Sequence, residues 1–243
     1  MAVCPDSRQE FFELLGQTAE YLAWLKADGV SRIEVGRGKS NRPPTSLKGT
    51  AVETELTQLA KVISGCKKCV LHKARTNTVP GQGNGKRPEI MFIGEAPGAD
   101  EDEQGLAFVG RSGQLLAKMI EAMGYTREEV FIANIAKCRP PDNRAPTPEE
   151  MATCIPYLKQ QISLIQPKVI VALGATAVMG LINQTGISKL RGNWFEYEGI
   201  SLMPTFHPAF MLRNPPCKKE VWADLQAVLK HLGRTPPPVK KAD

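Results

Sequence analysis

No stretch of this 243-residue chain is apolar and long enough to cross a membrane as a helix, so nothing supports a spanning role. The opening Met1-Ala2-Val3-Cys4-Pro5-Asp6 has no basic start followed by an apolar run. An export leader is therefore not expected, and the reading is a cytoplasmic protein whose thiols stay reduced. A serine nucleophile elbow and a phosphate-cradling lysine loop are both missing, which counts against serine hydrolases and nucleoside triphosphatases. No internal repeat is visible, so a solenoid is not expected.

What is present begins with charge. The chain carries +6 net, of which +1 falls in residues 1–50, so +5 belongs to residues 51–243. Such an excess is compatible with a polyanionic partner such as nucleic acid. Residues 7–28 read as an amphipathic helix, capped by Ser7 and closed by Gly29, with Phe11, Leu14, Leu15, Ala19, Leu22 and Leu25 at helical spacing. The Gly/Pro/Ser-rich, basic segment after it has little that can pack. The division expected is a helical extension (1–35), a flexible linker (36–50), a main domain (51–233) and a disordered tail (234–243). The extension reads as a docking or oligomerisation element, open to a replication or repair partner, on a chain expected to be monomeric.

From residue 51, apolar runs alternate with helical patterns. A helix over Val52–Ser64 leads to Cys66, and Glu89–Ile93, Val130–Ala133, Lys168–Leu173 and Ser201–Phe206 read as strands. Pro204 marks the last as an edge or irregular strand. Helices are expected over Ser112–Met123, from the capping box Thr147-Pro148-Glu149-Glu150, and along Val221, Leu225, Val228 and Leu232. This alternation predicts an α/β fold, a three-layer α/β/α sandwich around a mostly parallel four-stranded sheet.

Two features carry chemistry. Cys66 and Cys69 form a Cys-x2-Cys pair, and Cys138 and Cys154 follow far downstream, with fifteen residues between them. Four soft sulfur ligands suit a structural zinc or an iron–sulfur cluster, and spacing alone leaves that choice open. The second feature lies at the carboxyl ends of the expected strands, where open α/β sheets bind ligands. Gly94-Glu95-Ala96-Pro97-Gly98 ends the first run, Asn134 the second, and His207-Pro208 the fourth. A carboxylate, an amide and an imidazole would share one rim, with Phe108 on a glycine-punctuated loop beside them.

As a set, Gly94-Glu95-Ala96-Pro97-Gly98, Phe108-Val109-Gly110-Arg111, Asn134 with Lys137-Cys138-Arg139-Pro140-Pro141, and His207-Pro208-Ala209-Phe210-Met211-Leu212-Arg213 resemble the family 4 uracil-DNA glycosylases, the iron–sulfur members of their superfamily. The resemblance spans roughly residues 51–233. It implies a [4Fe–4S] cluster on Cys66, Cys69, Cys138 and Cys154, leaving Cys4 and Cys217 as free thiols. It also implies DNA containing uracil as partner, with free uracil released and an abasic site left behind. One departure from the family and one contrast with a related branch stand out. Gly105-Leu106-Ala107 precedes Phe108 where family members often carry a basic residue and proline. Ala96 replaces the glutamine of a branch that links covalently to DNA, which favours turnover.

By the same resemblance, Glu95, Glu101 and His207 are the catalytic candidates. Gly94, Ala96, Phe108, Asn134 and Asn143 would surround the base. Arg111, Arg139 and Arg213, beside the motif loops, are candidates for phosphate contacts.

Overall fold

The computed structural model describes residues 49–238. The expected helix over 7–28, nearly all of the linker, and the tail from residue 239 lie outside the described residues.

Helix α1 (Gly49–Ser64) enters the domain and delivers Cys66 from its end. The sheet follows as β1 (Gln82–Gly83), β2 (Ile90–Gly94), β3 (Phe131–Asn134), β4 (Val169–Leu173), β5 (Phe195–Tyr197) and β6 (Ile200–Thr205). Their spatial order is β1-β3-β2-β4-β6-β5. The inner four strands run parallel, and β1 and β5 pair antiparallel at the two edges. The four expected strands are therefore the parallel core of a six-stranded sheet.

Helices fill both faces. They are α2 (Ala99–Gln104), α3 (Arg111–Ala122), α4 (Pro148–Ile165), α5 (Ala175–Ile182), α6 (Ile187–Leu190), α7 (Pro208–Arg213) and α8 (Lys218–His231). Alternate strand residues serve opposite layers, as the period of two requires. Ile90, Phe92, Val169, Val171 and Met203 pack with Leu116 and Ile120 of α3 and with Val221, Leu225 and Val228 of α8. Met91, Ile93, Ile170 and Ala172 pack with Leu158 and Ile162 of α4 and with Val178 of α5. Burial on both faces explains why these strands read as unbroken apolar runs.

Strand β6 corrects the expectation drawn from Pro204, because it is an inner strand between β4 and β5. Its pairing with β5 ends at Leu202. The Pro204 carbonyl accepts from the loop nitrogen of Gly192, 3.2 Å away, on that same outer side. The missing N–H thus faces a side where no ladder remains, which is the local condition of an edge. Arg234, first residue of the expected tail, is tied down by Glu89 at 2.6 Å and lies over the Tyr125 ring.

Candidate active site

Topology brings the motif residues together. Gly94 and Asn134, last residues of adjacent β2 and β3, are register partners. The backbone pairing continues beyond them through Ile135 and Ala136 to the carbonyls of Gly94 and Glu95. Their neighbours at the carboxyl edge, with the loop after β6, enclose a cleft of about 400 Å³. Glu95, Ala96, Glu101, Phe108, Asn134, Asn143, His207 and Arg213 all line it.

Asn134 is the most telling side chain. It is 1% exposed, and its Oδ1 has no hydrogen-bond partner among the described residues. A buried acceptor left unpaired costs roughly 1–3 kcal/mol. Gly94 does not itself line the cleft but packs behind the pair: a Cβ there would lie 2.5 Å from both the Asn134 Oδ1 and the Phe108 ring. Only glycine lets amide and ring approach this closely.

Phe108 has a left-handed backbone, φ +53°, uncommon for a bulky residue and a store of strain. Two features hold it there. Glu101, buried on α2, accepts from the backbone nitrogens of Val109 and Gly110 at 2.9 Å and of Gly98 at 3.1 Å. Gly113 lets α3 close onto the loop, since a Cβ there would fall 2.0 Å from the Phe108 carbonyl. Glu101 thus reaches the cleft, but its carboxylate is engaged by three backbone donors rather than free for proton transfer.

His207 caps α7 with its own ring: Nδ1 accepts from the Ala209 nitrogen at 3.1 Å. That bond fixes the tautomer and leaves the proton on Nε2. Burial, aided by the nearby positive charge of Arg213, draws its pKa down to about 4. The imidazole is therefore neutral at physiological pH and acts as an N–H donor. Its ring centroid lies 5.6 Å from that of Phe108.

Glu95 accepts a hydrogen bond from the hydroxyl of Thr176 at the start of α5. Arg144 grips Glu150 with both terminal nitrogens, at 2.7 and 2.8 Å, while Glu150 closes the capping box of α4 with Thr147. This anchors the loop that carries Asn143, whose Oδ1 accepts from Arg139 at 2.8 Å. Among the three arginines proposed from sequence, Arg213 lines the cleft, whereas Arg139 and Arg111 do not. Ser112 and Arg144 also line it, and Thr176 supports it from behind. None of these three stood out in the sequence, because each is an ordinary polar residue contributed by a loop or helix start outside the motifs.

The four expected cysteines converge as well. Cys66, Cys69, Cys138 and Cys154 line one small cavity, and all four are free thiols. Burial raises the Cys138 thiol and pushes Cys154 up to about 11. Donors already point at the sulfurs: Arg75 at 3.1 Å from Cys138, and the Lys137 backbone nitrogen at 3.2 Å from Cys154. Among the described residues, no group of three or more His, Cys, Asp or Glu side chains is arranged to hold a metal ion. The cavity abuts the cleft, for Ala96 packs against the buried cluster of Leu71, Ala136 and Cys138, as Cys69 does.

Comparison with known proteins agrees with this arrangement. The profile of the Uracil DNA glycosylase superfamily matches residues 80–226. A type-4 uracil-DNA glycosylase of Archaeoglobus fulgidus is 42% identical over 191 residues, covering 75% of this chain and 96% of that protein. The type-4 enzyme of Thermotoga maritima is 48% identical over 155 residues, covering 63% and 80%. A type-5 enzyme of Mycobacterium leprae is more distant, at 33% over 155 residues, 54% of this chain and 67% of that protein. Fold, cleft and kinship agree: the chain belongs to the uracil-DNA glycosylase superfamily, among its type-4 members.

Proposed function

We propose that this enzyme everts deaminated-cytosine uracil from single- or double-stranded DNA and releases it as free base. As a uracil-DNA glycosylase it hydrolyses the N-glycosidic bond, so the base must leave the stack before its sugar carbon can be reached. The observation that carries the base assignment is the unpartnered Oδ1 of Asn134 on the wall of the cleft. Uracil N3–H would satisfy it, while the amide nitrogen donates to O4. Cytosine presents an acceptor at N3 and a donor at C4, leaving both groups unpaired. Phe108 would supply the face on which the ring stacks, and Glu101 or the neighbouring loop would exclude the thymine methyl.

As the bond from N1 to the sugar breaks, its electron pair enters the uracil ring and charge gathers on O2. The neutral His207, donating from Nε2, stabilises that charge without itself losing a proton. A donor of this kind is worth about 3–4 kcal/mol. Glu95, oriented by Thr176, positions the water that adds to the sugar carbon and favours its positive character. The water's hydroxyl remains on the sugar and its proton ends on the departing base. Arg213 at the cleft, with Arg111 and Arg139 beside the motif loops, would contact phosphates and fix register.

The thiol cavity is assigned a [4Fe–4S] cluster. Four cysteine sulfurs with N–H donors already directed at two of them fit such a group. Thiolates on one zinc crowd around a single centre with Zn–S of about 2.3 Å, whereas a cluster spreads them over its corners. When bound, the cluster supplies a structural clamp on the loop after Cys66 and on the segment between Cys138 and Cys154. The reaction involves no electron transfer, so no step is routed through it.

The test is alkaline cleavage of oligonucleotides carrying uracil, hypoxanthine, xanthine or a thymine mismatch, with iron assayed in the same preparations. Uracil should be preferred, and Asn134→Ala should cut its release steeply with iron content unchanged. Cys138→Ser should instead bleach a brown protein. Full activity in Asn134→Ala overturns the pocket assignment.

A further inference from the structure

Lys137 is a lysine buried in the domain interior, and the proposed chemistry makes no use of it. Its side chain is 1% exposed. A buried ammonium is retained where partners compensate its lost hydration. Here the partners are neutral: Nζ donates to the backbone carbonyl of Asn134 at 2.9 Å and to Oε1 of Gln161 at 2.7 Å. No carboxylate forms an ion pair with it among the described residues. Gln161 is itself fixed, donating to the Pro80 carbonyl at 2.8 Å. The main chain of the same residue faces the thiol cavity, with its nitrogen on Cys154 and the next residue being Cys138.

We propose that Lys137 is a positioning residue that couples the sulfur site to base recognition. Its ammonium holds the end of β3 by the Asn134 carbonyl and thereby aims the Asn134 amide. Lys137 lines the thiol cavity together with the four cysteines, so an anionic cluster bound there would supply the counter-charge that no carboxylate gives. One residue therefore satisfies two requirements: a cation next to the thiolates, and a rigid tether on the residue that distinguishes uracil. The inference rests on the uracil reading of the cleft.

Lys137→Met keeps length and apolar volume while removing the charge and both hydrogen bonds. Tested as purified holoenzyme, it should lose uracil release by about 10–100-fold, as supporting residues behind ligands do. The loss should fall on kcat more than on KM, with iron and sulfide per chain unchanged. The cluster's midpoint potential should move to more negative values, since a buried positive charge has gone. Wild-type kcat, or a loss that merely tracks missing iron, overturns the proposal. If this variant does not fold, Gln161→Leu removes one of the two acceptors. It should lower kcat in the same direction at normal iron content, and an unchanged kcat again overturns the proposal. Asn134→Ala measured alongside separates the two ideas: activity there defeats the uracil pocket itself, whereas activity confined to the Lys137 and Gln161 variants defeats only the coupling.

Discussion

At the scale of single residues, the cleft is built from groups held away from their ordinary state. Phe108 sits at positive φ, Asn134 keeps an unpaired acceptor, and His207 is kept neutral. His207 gives a pH signature. Its pKa falls from about 6.5 in the unfolded chain to about 4 in the fold. The unfolded chain therefore takes up this proton first, and its contribution to stability is lost as pH falls from 6.5 towards 4. Above that window the group is neutral in both states and contributes nothing pH-dependent. Activity should follow the folded value: the acid limb of kcat/KM due to His207 should lie near pH 4, and His207→Ala should abolish it. An acid limb near 6.5 that vanishes in the variant would contradict a neutral donor. Gly94 offers a complementary test. Gly94→Ala places a methyl 2.5 Å from both the Asn134 oxygen and the Phe108 ring. Overpacking of this kind costs about 1–3 kcal/mol. The variant should remain folded by circular dichroism yet lose uracil release, and normal activity would mean that amide and ring do not converge on the base.

Among the elements, short α2 does more than its six residues suggest. Glu101 fixes the Phe108 loop, and its neighbour Asp102 accepts from the backbone nitrogens of Thr76 and Asn77 at 3.0–3.2 Å. Thr76 adjoins Arg75, which donates to Cys138. The helix therefore braces the base platform with one carboxylate and the cysteine loop with the next. Glu101→Ala strands three backbone donors, and a single unsatisfied buried donor costs about 1–3 kcal/mol. Thermal unfolding should show a loss of at least about 2 kcal/mol together with reduced uracil release. A fall in activity without any loss of stability would instead favour a direct chemical role for Glu101. The inner strands were legible in sequence because burial on both faces leaves unbroken apolar runs such as Val169–Leu173. β1 and β5, at two and three residues, are too short to carry a pattern. The α4 cap was legible because Thr147 and Glu150 are local partners. The grip of Arg144 on Glu150 was not, since nothing in the spacing marks it.

For the molecule as a whole, the strand order turns scattered motifs into one site. β2 and β3 bring Gly94 and Asn134 side by side, β6 ends just before His207, and the loop after β2 returns Phe108 over Gly94. The sequence motifs announced this convergence through residue type and strand-end position. The supports behind them, Thr176 on Glu95 and Lys137 on Asn134, became visible only once α5 and β3 were packed. The same packing sets the thiol cavity against Ala96 at the cleft wall, so the cluster site and the base site share a boundary. Among the described residues, no helix is long and apolar enough to cross a membrane. The most direct measurement is a crystal structure of the enzyme with free uracil. The ring should lie on Phe108, with N3 hydrogen-bonded to Asn134 Oδ1 and O2 to His207 Nε2. Uracil bound outside this cleft, or within it with neither contact, would contradict the account.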